Sequence, residues 1–421
     1  MFKKITLKNG LRIVTVPQAN TEAVTVFAIV GTGSKYERKE ISGISHFLEH
    51  MFFKGTQKRP SPLKIIEPLD KVGGLFNAFT GEEYTGYFAK VAADQVDIAL
   101  DWVSDIYLNS LLPQKEMEKE RGVIIEEINM YLDTPMMYIG EIWKDLLYGD
   151  QPAGWDIAGT KETVRNISRQ QMFSYRKSQY TAPNTVVCVA GNIKEDQIIE
   201  KVKDYFKNIS KFKFTDKVRV LENQKGPGCL VHYKKTDQSH FHLGVRTYSL
   251  SHPDKYVLEV MSTILGGMMS SRLFTEIREK LGLAYYVRSE NVEDTDTGYL
   301  VVKSGVDNQR IDKAIITTLK EFKKISEKKV SVAELKKAKE NVKGKLSLSL
   351  ESSDAKAFFY AGQEIIEKKM TKPEDIFKAI DKVSANDILR VAKDIFKQEK
   401  LNLAIIGPFE DKERFQKLLK I

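Results

Sequence analysis

Residues 167–206, ISRQQMFSYRKSQYTAPNTVVCVAGNIKEDQIIEKVKDYF, align without a gap against residues 383–421, VSANDILRVAKDIFKQEKLNLAIIGPFEDKERFQKLLKI, at an offset of 216. Ser168 and Ser384 fall together at a helix N-cap, where a hydroxyl can accept from the first free backbone N–H groups. Tyr180 matches Phe396, Val187 matches Leu403 and Gly191 matches Gly407. Both segments read helix, strand, glycine, helix. Such a repeat constrains the fold more than any composition does, because each copy must occupy an equivalent place in a similar unit. The offset is about half of the 421 residues, and a chain of that length is too long for one ordinary core. The polar stretch 211–228, KFKFTDKVRVLENQKGPG, ends in Gly-Pro-Gly and suits a linker. The expected division is therefore 1–210, a linker at 211–228, and 229–421.

Periodicity gives both halves an α+β character. Alternation over residues 4–16 around Asn9-Gly10 is a hairpin signal, and 23–31 reads as a buried strand. Residues 75–91 read as two short strands around a turn, and helical spacing covers 42–54, 62–72, 94–110, 114–132 and 136–148. A helix at 169–179, a strand at 184–193 and a helix at 195–208 follow. The second half predicts strands at 239–249, 284–291, 297–305 and 401–406. Its helices are expected at 253–265, 271–281, 309–325, 332–350, 353–368, 374–381, 385–396 and 409–420.

Composition excludes several classes. Hydrophobic residues make up 42% and charged residues 29%, as in a soluble globular protein. No apolar run is long enough to span a bilayer, so no membrane role is expected. The start, MFKKITLKNG, lacks the apolar core of a signal peptide. Cys188 and Cys229 form no Cys-x-x-Cys motif and suit a reducing compartment, so the expected location is cytoplasmic. The net charge of +9 invites a nucleic-acid reading, but the basic residues are interleaved with acids, as in EKKVSVAELKKAKENVKGK (327–345). That pattern describes a solvated helix face, and no nucleic-acid partner is expected.

The chemistry concentrates at His46-x-x-Glu49-His50. On a helix, His46 and His50 lie one turn apart on one face, so two imidazoles can hold one zinc ion. Glu49 lies beside them, placed to take a proton from a water that the metal acidifies. With only six histidines in the chain, the motif would arise by chance on the order of once in a few hundred such chains. A catalytic zinc ordinarily has a third protein ligand. The segment 114–132 offers Glu116, Glu118, Glu120, Glu126 and Glu127. Glu120 and Glu127 share a face, being seven apart, while spacing alone leaves Glu126 and Glu127 both open.

SHFLEHMFFKGT (45–56), GGLFNAFTGEEYTGYFAK (73–90) and ERGVIIEEI (120–128) together resemble the pitrilysin family of zinc peptidases, the inverzincins. The resemblance is closest to the branch with the mitochondrial processing peptidase β subunit and short bacterial homologues. It implies Glu127 as third zinc ligand, Glu120 as the carboxylate supporting the ligands, and Asn77-Ala78 as a strand edge contacting substrate backbone. LGGMMSSRLFTEIREKLGLAYYV (265–287) resembles the family's C-terminal signature, which implies that Arg278 and Tyr285 hold substrate and polarise its scissile carbonyl. The implied fold is two similar α+β domains, each a mainly antiparallel sheet packed with helices on one face. The implied function is a zinc endopeptidase acting on short or unfolded peptides inside a closed chamber. The resemblance also implies pairing of two chains, the zinc domain of one facing the C-terminal domain of the other. Because this chain carries both the zinc motif and the Arg–Tyr pair, the expected assembly is a homodimer sharing sites in trans. The alternative is a non-catalytic peptide-binding or scaffold subunit, since the family includes members without the metal ligands.

Overall fold

The computed structural model describes residues 2–421 and divides them into two compact units, neither continuous in sequence. One unit gathers Met1–Asn129, Asp156–Val218 and Leu348–Met370; the other gathers Met130–Trp155, Arg219–Ser347 and Thr371–Ile421. Against the continuous halves expected from the repeat, each half gives one segment to the other unit.

In the first unit the strands are β1 (Lys3–Thr6), β2 (Arg12–Pro17), β3 (Ala23–Val30), β4 (Leu75–Thr80), β5 (Thr85–Ala92) and β6 (Thr185–Gly191), in the sheet order β1-β2-β6-β3-β5-β4. In the second they are β7 (Gly228–Tyr233), β8 (Gln238–Arg246), β9 (Ala284–Glu293), β10 (Gly298–Asp307) and β11 (Leu401–Gly407), in the order β7-β11-β8-β10-β9. Each sheet is antiparallel except for one parallel pair, β2 with β6 and β7 with β11. The repeat extends to pairing register: Arg12 lies opposite Val186, and Gly228 opposite Asn402, the same offset on both strands. Ser168 and Ser384 both cap their helices through a capping box.

β7 forms at 228–233, directly at the end of the expected linker and where no strand is expected from the sequence. GCLVHY is short, and its alternation is weak; its pairing is decided by β11, far away in sequence. The expected helix at 271–281 is also tighter-wound in expectation than in fact, since Phe274–Lys280 is a π-helical segment.

The exchanged segments explain the division. Helix Ser353–Ile366 covers one face of the first sheet, where Ala357, Tyr360, Ala361 and Ile365 pack on Val14, Phe27, Ile29, Val186 and Cys188. Helix Pro135–Tyr148 covers the corresponding face of the second sheet, packing Ile139, Trp143 and Leu147 on Val301, Ala404 and Ile406. Helix Val96–Asn109 packs on the opposite face of the first sheet, where Tyr107 Oη lies 2.7 Å from Thr185 Oγ1. β3 is thus covered on both sides, which is why AVTVFAIV is a nearly continuous apolar run rather than an alternating one. Among the described residues no helix is long and apolar enough to cross a membrane.

Candidate metal centre

Helix Ile44–Phe52 carries the histidine motif and is sharply two-sided. Ile44, Phe47, Leu48, Met51 and Phe52 are fully buried, whereas His46, Glu49 and His50 are half-buried on the opposite side. Each buried side chain of this size contributes about 1.5–3 kcal/mol, which fixes the helix's rotation and hence where the imidazoles point. Phe52 stacks on Tyr87 of β5 at 4.9 Å between ring centroids. The helix begins at Gly43 with φ 93°, and a Cβ there would lie 2.5 Å from the Ala158 carbonyl oxygen. Only glycine fits both requirements.

A second helix, Gln114–Asp133, lies alongside and brings two acids to the histidines. His46 Nε2 and His50 Nε2 are 3.3 Å apart, and Glu127 Oε2 lies 3.5 Å from the first and 3.6 Å from the second. A tetrahedral zinc ion at about 2.0–2.1 Å from three such atoms sets them about 3.3–3.4 Å apart, so these donors fit that ion. Between the two acids that spacing left open, the structure brings Glu127 to the imidazoles and leaves Glu126 exposed. Two turns earlier, buried Glu120 accepts from His50 Nδ1 at 3.1 Å and from Lys54 Nζ at 2.7 Å. That bond holds the proton on Nδ1 and leaves the Nε2 lone pair facing His46 and Glu127. Arg121 ties the two helices, its guanidinium 5.5 Å from the Phe47 ring centroid while donating to the carbonyls of Val164 and Ile167.

Electrostatics suit metal ligation. Burial, and then the charge of His50, push His46 down to about 3, so its imidazole is neutral at ordinary pH. Burial raises Glu127, with His50 pulling it down and Asp156 adding to the rise. Burial also raises Glu49, against a 2.6 Å hydrogen bond from Thr80 Oγ1 and the charge of His50. Burial would raise Glu120 as well, but the hydrogen bonds from His50 and Lys54 outweigh it and leave the carboxyl below its ordinary value.

Asn77 and Ala78 lie on β4, an edge strand of its sheet that packs against the histidine helix. Asn77 Oδ1 accepts from the Ala78 N–H at 2.9 Å. Arg278 and Tyr285 belong to the second unit. Arg278 sits on the π-helical segment Phe274–Lys280, its guanidinium 4.9 Å from the Phe274 ring centroid and 5.8 Å from that of Tyr285. Tyr285 is 77% exposed at the start of β9. The structure thus gathers His46, Glu49, His50, Glu120 and Glu127 in one patch and pairs Arg278 with Tyr285.

Sequence reasoning missed Thr80, Lys54 and Glu37. Lys54 had a signal, being one turn beyond His50. Thr80 had none, because a strand residue meets Glu49 only through sheet-to-helix packing. Glu37 is buried, accepts from the Gly43 and Ser45 N–H groups at 2.6 and 2.8 Å, and is pushed up to about 8 by burial against those bonds.

Comparison with known proteins bears on this geometry. Residues 12–161 match the protein family described as Insulinase (Peptidase family M16), and residues 166–342 match Peptidase M16 inactive domain. A Bacillus subtilis (strain 168) protein called uncharacterized zinc protease YmxG is 35% identical over 409 residues, spanning 97% of this chain and 98% of that one. An uncharacterized zinc protease of Rickettsia felis is 35% identical over 403 residues, 96% of each chain. The crystal structure of a protease from Helicobacter pylori superposes with a TM-score of 0.90 at 26% identity, covering 97% of this chain and 99% of that one.

Proposed function

The chain belongs to the insulinase, or pitrilysin, family of zinc peptidases (M16), and on that premise we propose that it is a zinc-dependent endopeptidase acting on short or unfolded peptides. The observation that carries this reading is the triangle of His46 Nε2, His50 Nε2 and Glu127 Oε2, with the Glu49 carboxylate on the same helix face.

His46, His50 and Glu127 would hold the metal. When bound, zinc supplies a Lewis acid that acidifies water and polarises a carbonyl. Glu49 accepts a proton from the attacking water at its carboxylate and returns it to the leaving amine. Its burial favours that return, because the environment stabilises the neutral carboxyl. Thr80 keeps the Glu49 side chain in one orientation through its hydroxyl. Glu120 holds His50 in the ligating tautomer. An extended peptide would add to the free edge of β4 at Asn77 and Ala78. Arg278 and Tyr285, a cation and a phenol, would donate to the developing oxyanion. In this reading two copies of the chain form a closed chamber in the cytoplasm, and each supplies the other's Arg278–Tyr285 pair.

The test is Glu49→Gln. It should retain zinc, measured by atomic absorption after dialysis, and lose cleavage of a quenched peptide library by about 10²–10⁴-fold. Wild-type cleavage by that variant would overturn the assignment, and zinc-free, inactive wild-type protein would favour a scaffold subunit instead. Mixing Glu49→Gln with Arg278→Ala protein tests sharing between copies: recovered cleavage supports it, and strictly additive loss removes it.

A further inference from the structure

The histidine helix has a glycine at its N-cap, so it lacks a side-chain cap of its own. The first N–H groups of a helix nevertheless need acceptors, and here they are buried. Glu37 provides them from outside the helix. Its Oε2 accepts from the Gly43 N–H at 2.6 Å and its Oε1 from the Ser45 N–H at 2.8 Å, with the residue 4% exposed. Ser45, immediately before His46, also places its hydroxyl 2.9 Å from Tyr175 Oη, which in turn lies 2.8 Å from Thr32 Oγ1. All four residues are buried.

The Glu37 carboxyl accepts from both backbone N–H groups and also meets the Ser45 side chain, so it closes the chain of hydroxyls. The Thr32 and Tyr175 hydroxyls are hydrogen-bonded to each other, as are those of Tyr175 and Ser45, and the Ser45 side chain also bonds the Glu37 carboxyl. The four groups run from the β3 end through helix Arg169–Gln179 to the first turn of the histidine helix. Buried, fully connected networks of this kind hold one conformation more tightly than their separate bonds would.

We propose that Glu37 is a positioning residue for the metal centre, acting through the Glu37–Ser45–Tyr175–Thr32 network to fix the helix turn that presents His46. This rests on His46 being a metal ligand, as in the reading above, but not on peptide cleavage. The apolar face of the helix sets its rotation about its own axis. Burial alone leaves it free to slide or fray at its first turn, and His46 sits on that turn. Glu37 and Tyr175 remove that freedom. Neither residue needs to touch the metal or the substrate.

The experiment compares Glu37→Gln, Tyr175→Phe and the double variant with wild-type full-length protein. Gln at 37 keeps the shape but turns an NH2 group toward a backbone N–H, so one bond is lost. Zinc dissociation constants are read by competition with a chromophoric chelator, and the cobalt-loaded proteins give d–d spectra that report ligand geometry without any peptide. Glu37→Gln should weaken zinc binding about tenfold and shift the cobalt spectrum, while circular dichroism stays native. Tyr175→Phe should weaken binding less, and the double variant should fall short of the product of the two, because they act on one network. At saturating zinc, kcat should fall with KM unchanged. Wild-type zinc affinity and cobalt spectrum in a folded Glu37→Gln protein would overturn the proposal. Lowered thermal stability with both metal readouts unchanged would do the same. If Glu37→Gln fails to fold, Tyr175→Phe alone decides by the same two metal readouts. Wild-type protein that binds zinc but cleaves nothing would sink the peptidase reading and leave this proposal to be judged on those readouts.

Discussion

Glu120→Ala separates orienting a ligand from being one. Glu120 is 7% exposed and serves two donors, His50 Nδ1 at 3.1 Å and Lys54 Nζ at 2.7 Å. Removing it leaves the imidazole free to rotate and to exchange its proton between ring nitrogens, so part of the population presents Nε2–H to the metal. A hydrogen bond to an ionised partner is worth about 1.5–3 kcal/mol, and His50 is 21% exposed, so most of that value survives solvent screening. Zinc affinity should therefore drop about 10–100-fold, equivalent to about 1.4–2.7 kcal/mol. Glu120→Gln keeps an acceptor for Nδ1–H but loses its charge, and should fall between wild type and Ala. Chelator competition on protein with a native circular dichroism spectrum measures the constants. Excess zinc should restore most of the cleavage in Glu120→Ala but none in Glu49→Gln, since only the first defect is in loading. Zinc affinity within twofold of wild type in folded Glu120→Ala would refute the orienting role.

The exchanged helix gives a stability prediction. Phe358 packs on Phe27, Phe88 and Phe79 at 4.7, 5.0 and 5.9 Å, so Phe358→Ala should lower the unfolding free energy by about 2–3 kcal/mol in a urea titration. Cys188 and Cys229 are buried, burial pushes both thiols up, Cys229 to about 11, and a disulfide-exchange reagent at pH 8 should label them only in denaturant. The Arg390 guanidinium, bonded to Asp254 at 2.7 and 2.9 Å, holds that carboxyl below its ordinary 3.8. That lowered folded pKa adds stability above the ordinary value, lost as pH falls through the folded one. Arg390→Met should therefore flatten the acid limb of the stability curve below about pH 4 and change neutral stability by less than about 1 kcal/mol, as expected for a surface pair.

The sequence by itself determined the local chemistry and the duplication. The spacing of His46, Glu49 and His50 needs only a helix to become a site, and helix geometry is fixed by the backbone. The ungapped offset between 167–206 and 383–421 was legible because matching caps, strands and glycines recur in register. Tertiary structure alone decided which acid on the second helix meets the imidazoles. Glu126 and Glu127 are adjacent in sequence, and only the family resemblance prefers one; packing of one helix on another sets the rotation that brings Glu127 to His46 and His50. The same holds for Thr80 on Glu49 and Glu37 on Ser45, contacts across elements that no periodicity encodes. The exchange of helices Pro135–Tyr148 and Ser353–Ile366 was equally hidden, since their amphipathic patterns fit either sheet. A sequence pattern states that a face must be buried; only the assembled chain specifies against what.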